Sequence, residues 1–598
     1  MPLLFQTVAD AFEQLEPISS RLQMIALLAE LLGQAGPDEI APLVYLMQGH
    51  LAPEYRQNEF GINEKSALRA IAQVGGCSVA EAQQLFAERG DAGLVAAECR
   101  NRLGDSGPAR PITLLEVHTD LSELAATSGQ GSAERKISIL ARLLGSVTSV
   151  AAKHIVKIVV GRLRGGWGDQ TMLDALSQAK TGGKTLRPPL ERAYNLSSDL
   201  GLVAETLYRG GPDALATIGV QVGNPVRMAL AERADSVEEI LKRLGRCAVE
   251  PKYDGFRCQV HKDGDNVTIF SRGLENMTGM FPEIADAVRS SVASERVIIE
   301  GEAMAYNVET GKYYPFQETT KRRRIHNIAA TSERLPLRLV AFDLLLADGV
   351  DITAQPYEER RARMERLVTP GPALRVTDAL FTEDPEEMAL FYDDSTGEGL
   401  EGIVAKKLSG PYQAGKRDFN WIKLKRSYST ELRDTVDVVV VGYDYGRGAR
   451  AAWGIGSLLC AVYDREHDLF PTVTRCATGL SNAEWLDLGQ KLAADRLDHP
   501  DPRVVSILKP AVWVTPRYVF ELQADEVTRS PMHPAGADST GGYALRFPRI
   551  VQAREKLAAD ATTVDEVIRL YSMQGHKGET GKRASRTRPA DPVAEPEA

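Results

Sequence analysis

The hydrophobic pattern of the chain changes twice along its length, and each change limits the fold available to the residues around it. Up to about residue 215, apolar residues recur every three or four positions, which predicts amphipathic helices. Between about residues 216 and 428 short apolar runs alternate with helical segments, and between 429 and 574 short alternating runs predict mostly strands. Since 598 residues also exceed the size of one hydrophobic core, the sequence predicts a multi-domain protein.

These changes divide the chain into four parts. We predict an all-α domain at 1–215, an α+β domain at 216–428, a β-barrel domain at 429–574 and a disordered tail at 575–598. A closed barrel suits the third part, because the edges of an open sheet would need protection. The tail contains almost no apolar residues that could anchor it to a core.

Composition excludes several classes of protein. The formal net charge of −10 argues against a uniformly basic surface, although it leaves room for local basic faces. The chain has no run of about 18 apolar residues, and its first residues lack a basic segment followed by an apolar one, so we expect a cytoplasmic protein. The six cysteines and nine histidines are scattered without metal-ligand spacing, which predicts neither a disulfide framework nor a zinc site.

One lysine stands where an apolar run meets a turn, in Glu250-Pro-Lys252-Tyr-Asp254-Gly255-Phe-Arg257. An ammonium group at the mouth of a buried strand loses hydration and tends toward the neutral amine, which is a nucleophile. A β-hairpin with a surface lysine remains the alternative for so short a motif. The neighbouring motifs are therefore needed to distinguish a nucleophilic lysine from a surface lysine.

Further polar groups lie at the ends of apolar runs, where a purely structural strand rarely places them. Glu302 follows the β-like run Arg296–Glu300, and Asp343 follows the run Leu337–Phe342. The strand period of two puts Lys423 and Lys425 on one face with Trp421, and such a doubly charged face needs an anion such as a phosphate. Lys406 is either a second phosphate ligand or a surface lysine. The carboxylates of Glu302 and Glu401 suit a hard divalent ion such as Mg²⁺.

A basic segment of the helical part, Lys153 to Gly168, runs from a helix into a glycine-rich turn. Open backbone amides and the charges of Arg162 and Arg164 suit phosphate contacts, and a helix end with two solvated arginines is the alternative. The run Lys321 to Arg324 has the same two readings, a track for a phosphate backbone or a solvated face.

In this order and with this spacing, the motifs resemble those of the ATP-dependent DNA ligases, which belong to the covalent nucleotidyltransferases. The resemblance extends from the first helices to about Gln574 and is greatest to the compact archaeal-type enzymes with three domains. It implies an all-α DNA-binding domain, an adenylation (nucleotidyltransferase) domain and an OB-fold barrel. It also implies that Lys252 attacks the α-phosphate of ATP, and that the resulting lysyl-AMP serves to seal nicks in duplex DNA.

The resemblance further implies roles for the other motif residues. Glu250 reads adenine, Phe342 stacks on the base, Arg257 and Arg272 hold the ribose and the neighbouring phosphate, Glu302 contacts ribose or metal, Glu401 binds metal, and Arg417, Lys423 and Lys425 lie along the α-phosphate. Arg546 and Arg549 approach the pyrophosphate. Arg162, Arg164 and Gly165 belong to a minor-groove contact region.

The implied cofactors are ATP and Mg²⁺, with Mn²⁺ as a substitute, and the implied partner is nicked double-stranded DNA. We expect a nucleoid-associated monomer with a hinge near Asp434. Arg554-Glu555-Lys556 is one residue short of the final motif of the family, and Asp105 to Leu121 lacks the paired aromatic residues of a sliding-clamp motif, so no clamp contact is expected. An RNA ligase or capping-type nucleotidyltransferase, or a non-catalytic DNA-binding scaffold, are the alternatives.

Overall fold

A computed structural model of the protein describes residues 2–18, 20–56, 59–103, 111–163, 167–314, 316–323, 327–425, 435–446, 454–539 and 541–573. The predictions made for Arg164, Gly165, Arg324, the hinge near Asp434 and the tail at 575–598 lie outside these residues. Residues up to 425 belong to one compact unit, and most of the residues from 435 onward form a second. Within the described parts of the chain, none of the helices has the length and apolar character needed to cross a membrane.

The first part of the chain is helical, as predicted. Several of its helices begin with an N-cap side chain that accepts a hydrogen bond from a free backbone amide, as Ser78 and Thr113 do in full capping boxes. Their apolar faces meet in one core. The helices are α1 (Phe5–Leu15), α2 (Arg21–Gln34), α3 (Ile40–Met47), α4 (Glu64–Val74), α5 (Val79–Arg89), α6 (Ala92–Arg102), α7 (Leu114–Ala126), α8 (Ser132–Gly145), α9 (Ser149–Val159), α10 (Asp169–Thr181), α11 (Arg187–Ser197) and α12 (Leu200–Gly210).

One disulfide differs from the expectation drawn from the scattered cysteines. Cys77 and Cys99 are bonded, which ties the turn before α5 to α6. The two residues are 22 positions apart and belong to no recognisable motif, so their pairing depends on how the helices pack.

The middle part is built from strands and helices in alternation, as predicted. Its elements are β1 (Leu230–Arg233), α13 (Val237–Leu244), β2 (Cys247–Lys252), β3 (Phe256–Asp263), β4 (Asn266–Ser271), α14 (Pro282–Ser291), β5 (Arg296–Ala305), α15 (Phe316–Thr320), α16 (Ile328–Arg334), β6 (Leu337–Ala347), β7 (Val350–Asp351), α17 (Tyr357–Leu367), β8 (Leu374–Val376), β9 (Leu380–Thr382), α18 (Pro385–Gly397), β10 (Gly402–Lys407) and β11 (Arg417–Lys425).

These strands form two sheets. The first has the order β1-β11-β10-β2-β9, and the second has the order β4-β3-β5-β6-β7 with β8 beside β6. Helices α13 and α18 cover the outer face of the first sheet, and α14 packs on the second. A further apolar cluster joins the two sheets, in which Trp421 of β11 and Tyr412, between β10 and β11, meet Ile298 and Leu345 of the second sheet. The inner faces of the sheets therefore lie toward each other.

Two strands of the second sheet continue past the ends that the sequence predicts for them. Glu302 lies inside β5 rather than after it, and Phe342 and Asp343 lie inside β6. Strand pairing between β5 and β6 is irregular at Phe342, which has no partner in the ladder between Asp343 and Ala341. Such a bulge re-aims a side chain without ending the strand.

The last part is rich in strands and has its own core. The long strand β12 pairs with β13 along one edge and with both β17 and β18 along the other. The elements are β12 (Val436–Asp444), β13 (Ser457–Ala461), β14 (Phe470–Cys476), α19 (Asn482–Ala494), β15 (Arg496–Leu497), β16 (Val504–Val505), β17 (Val512–Val514), β18 (Val519–Gln523), β19 (Glu526–Ser530), β20 (Gly542–Arg546), β21 (Arg549–Arg554) and α20 (Val564–Met573).

Candidate active site

The register of the first sheet brings the basic residues of three strands onto one face. Lys252 on β2 and Lys425 on β11 both lie opposite Gly402 on β10. One step along, Glu250 and Lys423 both lie opposite Val404. Because side chains of directly paired residues project from the same side of a sheet, all four side chains share the inner face.

A single carboxylate lies among these lysines. The ammonium group of Lys252 forms an ion pair with Oε2 of Glu401, and Nζ of Lys425 lies 3.7 Å from the same oxygen. The backbone amide of Glu401 also donates to the carbonyl of Lys252, at 3.0 Å. The three side chains are 14–20% exposed, so they are partly shielded and still reachable by a ligand.

A side chain at Gly402, the residue paired with both lysines, would collide with the neighbouring backbone. Its φ is 137°, and a Cβ added there would lie 2.1 Å from the carbonyl oxygen of Leu424. Any other residue would have to displace strand β11. The glycine is therefore required by the close approach of the neighbouring backbone.

The second sheet contributes the carboxylate of Glu302. Oε1 of Glu302 accepts a hydrogen bond of 3.1 Å from the amide of Gly255, where a Cβ would lie 2.5 Å from the carbonyl of Ala303. Burial raises the pKa of Glu302 to about 7, while the charge of Lys252 opposes the shift and that of Glu401 adds to it. The two predicted metal ligands are thus near enough to influence each other.

Arg257 lies between the sheets. Its guanidinium donates to Oε1 of Glu300 at 2.9 Å and to the carbonyl of Ala229 at 2.7 Å. The same group lies 5.4 Å from the ring centroids of both Phe342 and Trp421. The predicted ribose ligand and the predicted base-stacking ring are therefore neighbours.

Glu250 is buried in a network that the sequence does not predict. Oε2 lies 2.8 Å from Nζ of Lys406, and Oε1 accepts from the hydroxyl of Tyr357 and, at 3.4 Å, from Nη1 of Arg361. Nζ of Lys406 also donates to the carbonyl of Phe342 at 2.6 Å, and Lys406 is 1% exposed. Lys406 is therefore not a surface lysine.

Arg272 and Arg417 lie at the ends of strands, one in each sheet. Arg272 follows β4, in a turn where Leu274 has a φ of 65°. Arg417 opens β11 and pairs with Leu230 of β1. Further along the same pair of strands Arg233 lies opposite Lys423, and sequence reasoning missed this arginine because β1 is only four residues long.

The predicted DNA and pyrophosphate contacts lie elsewhere in the chain. Arg162 follows α9 and forms an ion pair with Glu64 at 3.0 Å, with 30% of its side chain exposed. In the second compact unit, Arg546 ends β20 and Arg549 opens β21, and both are exposed.

Two basic runs have partners within the fold. In α9, Nζ of Lys153 lies 2.7 Å from Glu16, and so does that of Lys157. In the run that begins at Lys321, Arg322 is buried and donates to Glu283 at 2.7 Å. Arg322 therefore faces the interior and is not available to a phosphate backbone. Among the residues that the structure describes, no three His, Cys, Asp or Glu side chains form a ready-made metal cluster.

Comparison with known proteins gives matches along nearly the whole chain. Three family models match in succession: the DNA ligase N terminus at residues 4–177, the ATP dependent DNA ligase domain at 228–425 and the ATP dependent DNA ligase C terminal region at 451–556. A probable DNA ligase of Dictyoglomus turgidum is 47% identical over 575 residues, which cover 96% of this chain and 98% of that protein. The DNA ligases of Acidianus ambivalens and Saccharolobus solfataricus are 39% and 40% identical, with coverage of 95% and 96% of this chain and 98% of each relative. The chain therefore belongs to the ATP-dependent DNA ligases, with their helical, nucleotidyltransferase and sheet-rich C-terminal parts in that order.

Proposed function

We propose that this ligase seals nicks in duplex DNA through an adenylyl group carried on Lys252. The observation that carries the proposal is the inner face of the first sheet, where Lys252 lies in one row with Lys425 and next to the row of Lys423. A nucleophilic amine beside two further cations suits attack on a phosphate, because the cations stabilise the charge that develops.

In the first step the neutral amine of Lys252 attacks the α-phosphorus of ATP. The new N–P bond forms while the bond from that phosphorus to the bridging oxygen breaks, and pyrophosphate leaves with the electron pair. The carboxylate of Glu401, which contacts the ammonium group, is the nearest acceptor for the proton that Lys252 must lose. Lys423, Lys425 and Arg417 stabilise the α-phosphate.

The nucleotide would lie between the two sheets. Glu250 accepts a hydrogen bond from the amino group of adenine, and Phe342 stacks on the base. Arg257, Arg272 and Glu302 hold the ribose and the adjacent phosphate. The exposed Arg546 and Arg549 would approach the pyrophosphate from the second unit. We also propose that this unit is an OB-fold barrel, since β12 is paired along both edges.

The carboxylates of Glu302 and Glu401 fit a hard divalent cation. Both offer oxygen ligands, both are partly buried, and the charge of Glu401 raises the pKa of Glu302. Mg²⁺, or Mn²⁺ in its place, would be held by these two residues and would supply positive charge beside the triphosphate. Mg²⁺ commonly takes few protein ligands and completes its shell with phosphate oxygens and water.

In the later steps AMP passes from Lys252 to the 5′-phosphate of the nick, and the 3′-hydroxyl then displaces AMP to close the strand. We propose that the segment with Arg162, Arg164 and Gly165 contacts the minor groove of the duplex. Backbone contacts of this kind hold the duplex without reading its base sequence. One monomer per nick is sufficient for this scheme.

The proposal is tested by incubating the protein with α-labelled ATP and Mg²⁺. The parent should become labelled and Lys252→Arg should not, because a guanidinium keeps the charge and lacks the nucleophilic amine. Lys407→Ala is the matched control, since Lys407 is an exposed lysine of the adjacent strand β10. Labelling of Lys252→Arg would contradict the assignment, and equal sealing of nicked DNA and nicked RNA would contradict the proposed substrate.

A further inference from the structure

Glu250 receives two of its donors from helix α17. Tyr357 and Arg361 are four residues apart, so they project from one face of the helix. Both contact Oε1 of Glu250, although they lie more than a hundred positions after it in the sequence. Arg361 is held in turn by the carbonyl of Thr377, to which its Nη2 donates at 2.6 Å.

The contacts of Glu250 determine what else it can bind. An ionised carboxylate accepts hydrogen bonds and donates none, and its two oxygens offer about four acceptor positions. Tyr357 and Arg361 occupy positions on Oε1, and Lys406 occupies one on Oε2. Three of the four acceptor positions are thus filled, and one remains for a further donor.

The acceptor position that remains on Glu250 discriminates between purine bases. Adenine carries an amino group at position 6, which donates a hydrogen bond. Guanine and hypoxanthine carry a carbonyl oxygen at that position, and a carboxylate held as an acceptor repels it. A site built to accept from a substrate N–H rejects analogues that lack it, because its buried polar group then has no partner.

We propose that Tyr357 and Arg361 are positioning residues that hold Glu250 as an acceptor, and thereby set a preference for 6-aminopurine over 6-oxopurine nucleoside triphosphates. The inference rests on the proposed function, in which Glu250 meets the base. Lys406 extends the network to the backbone carbonyl of Phe342. The same cation therefore ties the group that reads the base to the strand that carries the stacking ring.

The test compares two nucleotides that differ only at the 6 position. The rate of formation of labelled enzyme is measured against the concentration of α-labelled ATP and of α-labelled purine riboside triphosphate, which lacks the 6-amino group; kcat and KM here denote the maximal rate constant of this half-reaction and the concentration that gives half of it. Tyr357→Phe removes one hydroxyl, and Arg361→Gln removes one cation. Arg363→Gln is the matched control, because Arg363 lies on the same helix and forms an exposed ion pair with Asp348 at 2.8 Å.

Tyr357→Phe and Arg361→Gln should each lower kcat/KM for ATP by about tenfold, which is the size expected for one hydrogen bond to a charged group. With purine riboside triphosphate the loss should be less than about twofold, since the contact they support is absent there. The loss for ATP should appear in KM more than in kcat, and GTP should gain relative to ATP. Arg363→Gln should match the parent with every nucleotide.

A purely structural role would give a different result. A distorted site would lower kcat/KM for both nucleotides by the same factor, and that outcome would overturn the inference while leaving the proposed function intact. If Tyr357→Phe does not fold, Arg361→Gln carries the same comparison. A parent protein that is labelled by neither nucleotide would instead contradict the proposed function.

Discussion

The raised pKa of Glu302 makes a quantitative prediction about stability. Replacement of Glu302 by glutamine removes the titrating group and keeps the oxygen that accepts from Gly255. The parent and this variant should therefore differ in how their stability depends on pH, and their difference isolates Glu302 from all other titrating groups.

The sign follows from the direction of the shift. Burial raises the pKa of Glu302 from its usual 4.5 to about 7 in the folded protein, so the folded state binds the proton more tightly than the unfolded state does. Its contribution to the free energy of unfolding is fully present below pH 4.5 and is lost as the pH rises through about 7. Each tenfold change in proton affinity is worth about 1.4 kcal/mol, so the loss amounts to about 3 kcal/mol.

Differential scanning calorimetry at pH 5 and pH 8 measures this effect, because it resolves the unfolding of separate domains. At pH 5 Glu302→Gln and the parent should unfold at similar temperatures. At pH 8 the variant should be more stable, by about 6 to 12 °C, since 1 kcal/mol corresponds to about 2–4 °C in a domain of this size. Addition of Mg²⁺ at pH 8 should raise the Tm of the parent and not that of the variant.

A difference in Tm that is the same at both pH values would refute the reasoning, because Glu302 would then not titrate in this range. A parent that is more stable than Glu302→Gln at pH 8 would refute the sign. In that case the attraction of Lys252 for the carboxylate would outweigh the cost of burying it.

Three further changes test the packing and the contacts of the protein. Gly402→Ala should abolish labelling with α-labelled ATP, because its Cβ would lie 2.1 Å from the carbonyl oxygen of Leu424, and labelling at the parent level would contradict the steric argument. Arg360→Leu should lower the free energy of unfolding by about 3–5 kcal/mol, since it leaves the buried carboxylate of Asp343 without its bidentate partner, and a calorimetric loss below about 1 kcal/mol would contradict this. Arg162→Ala should weaken binding of nicked duplex and reduce the slope of log K against log salt by about 0.9, measured by fluorescence anisotropy, and an unchanged slope would mean that Arg162 contacts no phosphate.

Strand periodicity was sufficient to predict one face of the site. The alternation in β11 places Trp421, Lys423 and Lys425 on one side, and the register with β10 agrees. The sequence could not indicate that Glu401 lies between Lys252 and Lys425, because that depends on which strand pairs with which. Such pairings are set by the whole sheet rather than by local pattern.

Buried charges account for the strand ends that were predicted wrongly. A polar residue in an apolar run suggests that the strand has reached solvent, and Asp343 was interpreted in that way. In the structure Asp343 is buried and receives two hydrogen bonds of 2.8 and 2.9 Å from Arg360, so the strand continues through it. The partner lies 17 positions away on α17, where no local pattern identifies it.

The contacts of Glu250 and Glu401 give the two ends of the site different electrostatic properties. Glu250 is surrounded by Lys406, Arg361 and a hydroxyl, so its charge is compensated inside the protein and suits an uncharged base. At the other end the ammonium groups of Lys252 and Lys425 both lie against Glu401 on a part of the sheet that a ligand can reach. Phosphate oxygens stabilise a face whose lysines are open to a ligand. They destabilise a face whose charges are already balanced within the protein. We therefore propose that a nucleotide binds with its base toward Glu250 and its phosphates toward Lys252, which is the orientation that attack on the α-phosphate requires.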